Sequence, residues 1–192
     1  MSVEQKTSLR QRVLLVVPVV HSAVDLGSHG ESTDTAAQEF WLTVVKGIES
    51  SGLRALPMKV YQDGLPICNY VDRIVDDLAG AGSLNFRIIQ YLRDAGAEIV
   101  GTEPGDLLVE EYQLQQQLRG SGRVGDESIR SLGEHLLRCR DEAIATRIGE
   151  TLEANEIGLL FIGVVHHVEK YLPDDIALRY PFGRPGRREG GI

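Results

Sequence analysis

His166 and His167 stand side by side at the end of "GLLFIGVVHH", a run apolar enough to be buried on every side. His21 ends a second such run, "VLLVVPVVH". Imidazole changes charge near neutral pH and, when neutral, is the commonest protein metal ligand. Carboxylates fall at comparable places: Asp25 just past His21, Asp63 after "MKVYQ" and Glu103 after "AEIVGT". Two imidazoles and a carboxylate with further positions open suit a divalent ion such as Zn, Mn or Fe. An ion held in this way lowers the pKa of a bound water and polarises an ester or amide carbonyl. The expected metal set is His21, Glu103 and His166, with Asp25 or His167 orienting a ligand or water. Each histidine alone is equally well explained as a strand-end residue bonding a backbone carbonyl, so the inference rests on their joint placement.

That placement depends on elements that deliver distant residues to one edge. "RVLLVVPVV", "LRALPMKVYQ", "AEIVGTE", "GLLFIGVVHH" and "DDIALRYPFG" read as strands, rich in β-branched and apolar residues and closed by turn residues. Helical patterns lie between them: "TDTAAQEFWLTVVKGIESSG", with Thr35 and Gln38 spaced as a capping box, then "YVDRIVDDLAG", "SLNFRIIQYLRDAG" and "LLVEEYQLQQQL". A long helix is expected from about Asp126 to Ala154, with Ile129, Leu132, Leu136, Cys139 and Ala143 on one side.

Strands that lack polar alternation and are separated by helices predict the α/β class: a mainly parallel sheet of about five strands flanked by helices on both faces. In such sheets ligands bind beyond the carboxyl ends of the strands. His21, Asp63, Glu103 and His166 or His167 are therefore expected at one rim. Successive strand residues point to opposite faces, so only one of His166 and His167 is expected to face the site. Gly163 permits close approach of a ligand or another backbone.

The bulk properties fit one soluble domain. The chain has 192 residues, of which 42% are hydrophobic and 25% charged. Residues 1–11 read as a loose segment, 12–183 as the α/β domain and 184–192 as a basic disordered tail. A net charge of −8 disfavours a general nucleic-acid binder, and no apolar run is long enough to span a bilayer. Lys6, Arg10 and Arg12 before "VLLVVPVV" imitate a secretory signal, but the run is short and contains Pro18, so it reads better as a first strand. Cys68 and Cys139 read as free thiols, in keeping with a cytoplasmic location. "GSGRVG" spells a dinucleotide-binding motif but follows a helix instead of a strand, and reads as a connector.

Arg140 and Arg147, seven apart on the long helix, are expected to aim a guanidinium at a substrate or to pair with Asp141, Glu111 or a neighbour. Glu110 and Glu111 are expected either as solvated surface groups or, for one of them, as a general base.

"FIGVVHHVE", the helix "RDEAIATRIGETL" before it and "VVPVVHSAVDLG" near the start together resemble the erythromycin esterase/ChaN-like superfamily, which includes the TraB and TIKI groups. Its late GxxH motif corresponds to Gly163, Val164, Val165 and His166, and Arg140 with Asp141 stands where an Arg-Asn or similar pair occurs on the helix before it. The early motif departs, with Pro18 in place of its glycine and only His21 kept. The resemblance implies an α/β fold and a polar pocket. Its members include metal-dependent peptidases, esterases that need no metal and a haem-binding protein.

Residues and resemblance together give the expectation of a metal-dependent hydrolase of ester or peptide bonds. Glu103, Arg140 and Asp25 are its catalytic groups, and Gly163, His167, Asp63 and Asp141 bind the ligand. The alternatives are a small-molecule or haem-binding protein using the same pocket, and a scaffold or regulatory subunit. The expected partners are a small-molecule or peptide substrate, with a second copy of the chain as a further candidate, and neither nucleic acid nor membrane.

Overall fold

The computed structural model describes residues 12–19, 35–121 apart from 51–56, and 127–183. Its strands are β1 (Arg12–Pro18), β2 (Met58–Gln62), β3 (Glu98–Val100), β4 (Ile157–Ile162) and β5 (Ile176–Arg179). Its helices are α1 (Thr35–Ser50), α2 (Val71–Gly80), α3 (Leu84–Asp94), α4 (Gly105–Ser121) and α5 (Glu127–Thr151), with a short 3-10 turn at Val168–Lys170. The five strands form one parallel sheet in the order β3-β2-β4-β1-β5, so the expected α/β architecture is what the chain adopts.

Both faces of the sheet are buried, which is why its strands show no polar alternation. On one face Val17, Val60, Leu159 and Phe161 pack with Trp41, Val44 and Ile48 of α1, Val75 of α2 and Ile88, Ile89 and Leu92 of α3. On the other, Leu14, Val16, Tyr61, Leu160 and Ile162 pack with Ile144, Ala145 and Ile148 of α5. Fully burying one such aliphatic or aromatic side chain contributes about 1.5–3 kcal/mol, so the alternate residues of β1 and β4 tie the two helical layers to one sheet. Burial also sets Tyr61 apart: loss of solvent pushes its pKa up to about 12, although its hydroxyl hydrogen-bonds Thr151.

Arg12 joins the ends of three elements. Its guanidinium donates to Gly149 O at 2.7 Å and Leu152 O at 2.9 Å, where the last carbonyls of α5 lack helical partners, and pairs with Asp175 before β5.

Among the described residues no helix is long and apolar enough to cross a membrane. The proposed end segments 1–11 and 184–192 and the capping side chain of Thr35 lie outside the description. So do residues 122–126, which hold most of the "GSGRVG" connector; Gly120 falls within α4.

The chain leaves β2 towards the α1–α3 face, where Val75 packs, and leaves β4 towards the α5 face, where Val168 packs. Neighbouring strands whose exits diverge in this way open a crevice at their carboxyl ends.

Candidate functional site

At that crevice lies a cleft of about 470 Å³, lined among others by Asp63, Glu111, Arg140, Gly163 and His166. Asp63 is the first residue after β2, and Gly163 the first after β4. The two are fastened together, with Gly163 N–H donating to Asp63 Oδ2 at 2.7 Å. A Cβ at position 163 would sit 3.2 Å from that oxygen, so glycine keeps the approach unstrained.

Strand geometry ends at Ile162, so His166 and His167 lie in the turn after β4 and not on the strand itself. His166 N–H closes this turn onto Gly163 O at 3.2 Å. The two histidines separate as expected, His166 buried and His167 exposed, but a turn and not the pleat parts them.

His166 is held from both sides. Its Nδ1 lies 2.6 Å from Asp141 Oδ1, and its Nε2 lies 3.4 Å from Asp63 Oδ2. The other Asp141 oxygen accepts the backbone N–H of His167 at 2.9 Å, which fixes the carboxylate. His167 therefore serves the site through its backbone, while its ring faces Glu169.

Beneath this pair lies a second ionic group. Glu103, fully buried, pairs with Arg140 through Nε and, at 3.1 Å, through Nη2. Its Oε1 also accepts the N–H of Gly64. Arg140 Nη1 pairs with Glu111. Burial alone acts to lower the pKa of Arg140, but its bonds and charges with Glu103, Glu111 and Asp63 outweigh it and hold the guanidinium above its usual value. Burial raises the pKa of Asp63 above the ordinary carboxylate value, against the opposing pull of His166, the Gly163 N–H and Arg140.

These contacts revise two expected roles. Glu103 was assigned to a metal, but both its oxygens are engaged by Arg140 and Gly64, so its observed task is to anchor the cation and the loop after β2. Arg140 takes the ion-pair alternative, with Glu111 among its partners; Arg147 instead donates to Gly101 O at 3.2 Å, near the β3 edge. Asp63, Asp141, Gly163 and His166 do converge. His21 and Asp25 lie outside the described residues. Among the described residues no group of three or more His, Cys, Asp or Glu is arranged to hold a metal ion.

Gln62, Ser83 and Asn85 also line the cleft, and sequence reasoning did not find them. A signal existed for Asn85. It occupies the same stripe of α3 as Ile88, Ile89 and Leu92, where an apolar residue is expected. The same reasoning applies to Arg140 and Asp141, a charged pair within the buried stripe of α5 that also holds Leu136, Ile144 and Ile148.

Comparison with known proteins adds no constraint: no family model matches the chain, and no curated protein or solved structure matches it.

Proposed function

We propose that the cleft hydrolyses an ester or peptide bond, with His166 as the group that takes a proton from the attacking water. One observation carries this reading: a buried imidazole has its Nδ1 on a fixed carboxylate and its Nε2 on the side of Asp63, in the wall of the cleft. Asp141 holds the Nδ1–H tautomer, which leaves the lone pair of Nε2 as a base. As water attacks the carbonyl carbon its proton passes to Nε2, Asp141 stabilises the resulting imidazolium, and the same proton then goes to the leaving group. Arg140 uses three of its N–H groups on Glu103 and Glu111, and its remaining donors are available to the developing oxyanion.

The donor set is also compatible with a divalent ion. Asp63 Oδ2 and His166 Nε2 lie 3.4 Å apart, close enough to contact one ion together. Zn, Mn or Fe held by these two residues would supply an activated water and a polarised carbonyl. The resemblance to the erythromycin esterase/ChaN-like superfamily rests on the same Gly163 and His166 and points the same way.

The test is hydrolysis of p-nitrophenyl esters and fluorogenic peptides, each with added Zn or Mn and with a chelator. His166→Ala and Asp141→Asn are expected to lower kcat/KM by about 10²–10⁴ in variants that circular dichroism shows to be folded. The proposal fails if the wild type turns over none of these substrates, or if folded His166→Ala keeps the wild-type rate.

A further inference from the structure

The polar wall of the cleft contains, from Asp63 onwards, a hydrogen-bond chain with one end left over. The backbone carbonyl of Asp63 can only accept, so Gln62 must turn its Nε2 towards it, at 2.8 Å; the same Nε2 also donates to Asp63 Oδ1. That orientation leaves Gln62 Oε1 as an acceptor, and it takes a hydrogen bond from Asn85 Nδ2 at 2.7 Å. The amide of Asn85 is thereby fixed with its Oδ1 as a bare acceptor. Asn85 is only 2% exposed, and among the described residues Oδ1 has no partner. The hydroxyl of Ser83, 5% exposed and also in the cleft wall, has no partner either, although Ser83 caps α3. A buried acceptor without a donor costs about 1–3 kcal/mol, and native proteins leave few of them.

The charges around these atoms have a consistent sign. Asp63 and Glu111 line the cleft, with Glu103 and Asp141 directly behind, against one guanidinium and one imidazole. An anion here would meet carboxylates and a bare amide oxygen, whereas an ammonium would give both orphaned oxygens the donors they lack. Apolar groups stand beside the polar wall: Leu78, Phe86 and Val165 line the same cleft, with Leu78 39% and Val165 59% exposed.

We propose that the cleft selects a ligand with a protonated amine head and an apolar arm, the head bound by Asn85 Oδ1, Ser83 Oγ and Asp63 and the arm lying on Leu78, Phe86 and Val165. This inference rests on the cleft being the site of function and adds the class of ligand. Asn85 and Ser83 are specificity-determining residues that take no part in proton transfer.

The experiment compares three probes of one shape, n-butylammonium, butyramide and butyrate, by saturation of amide shifts in nuclear magnetic resonance spectra of the ¹⁵N-labelled full chain at pH 7. Signals of Gly64, Gly163 and the Asn85 side chain report on the cleft. The amine is expected to bind at least fivefold more tightly than either other probe and to move those signals. Ser83→Ala removes a hydroxyl that has no hydrogen-bond partner among the described residues, so the variant keeps the fold, and it is expected to weaken amine binding at least threefold. Asn85→Leu is expected to weaken it further. Any other order of the three probes, shifts that map elsewhere, or unchanged affinity in Ser83→Ala overturns the proposal. Repeating the titration in His166→Ala separates the two claims, because amine binding there is expected to persist whether or not hydrolysis occurs.

Discussion

Replacing Arg140 by Met tests the ionic group under the cleft most directly. Glu103 has no solvent exposure, so the substitution leaves a carboxylate with one backbone donor, Gly64 N–H, and no counter-charge. Breaking a buried pair from one side costs about 3–5 kcal/mol, because the surviving charge stays desolvated. The loss at Glu111 adds little, since its side chain is 31% exposed and water replaces the guanidinium. Against a total stability of about 5–15 kcal/mol this is a large fraction. With a urea slope of about 2 kcal/mol/M the midpoint falls by about 1.5–2.5 M.

The double variant Arg140→Met/Glu103→Met replaces the pair by apolar groups of similar length and is expected to recover most of the loss. Urea unfolding of both variants at pH 7, followed by circular dichroism, measures the loss and its recovery. A single-variant loss below about 1 kcal/mol, or a double variant no more stable than the single, refutes the account of Glu103 as a charge held in place by Arg140.

Three further outcomes follow from local geometry. Asp63→Asn removes a carboxylate whose ionised form burial disfavours; because its folded pKa is raised, the wild type loses stability as pH rises through that value. Asn also turns an NH2 towards the N–H of Gly163 or the Nε2 of Gln62, so the test is the trend: the melting temperature of the variant relative to wild type is expected to rise from acid pH to pH 7, and a relative fall contradicts this. Arg12→Met removes the charged donor from Gly149 O and Leu152 O and is expected to cost about 1.5–3 kcal/mol, seen in calorimetry as a drop of about 3–12 °C. Gly101→Ala places a Cβ 2.3 Å from Pro66 O, a backbone atom, and is expected to cost about 1–3 kcal/mol; Gly163→Ala meets side chains alone, Asp63 at 3.2 Å and His166 at 3.7 Å, and costs less, so the reverse order in a melting series defeats the packing argument.

Much of the fold was legible in the chain because burial on both sheet faces leaves a mark on composition. Unbroken apolar runs such as "VLLVV" and "GLLFI" report strands covered twice, and the helical stripes between them report what covers them. The carboxyl-edge rule then brought Asp63, Gly163 and His166 to one rim. The same rule misjudged Glu103. It gives the edge on which a residue falls, but not whether its oxygens face the cleft or a cation beneath it.

The chain itself thus determined the class of sheet, the rim at which polar groups gather and the presence of polar side chains within otherwise apolar stripes, as at Arg140, Asp141 and Asn85. All of these are periodic or positional properties, readable along one dimension. Tertiary structure alone decided the partners: that Asp141 takes His166, that Arg140 takes Glu103 and Glu111, and that the buried oxygen of Asn85, a residue lining the cleft, has no partner among the described residues. Pairing depends on distances of a few ångströms between residues 25 to 37 positions apart, and sequence spacing carries no information about which of several nearby opposite charges lies within that reach.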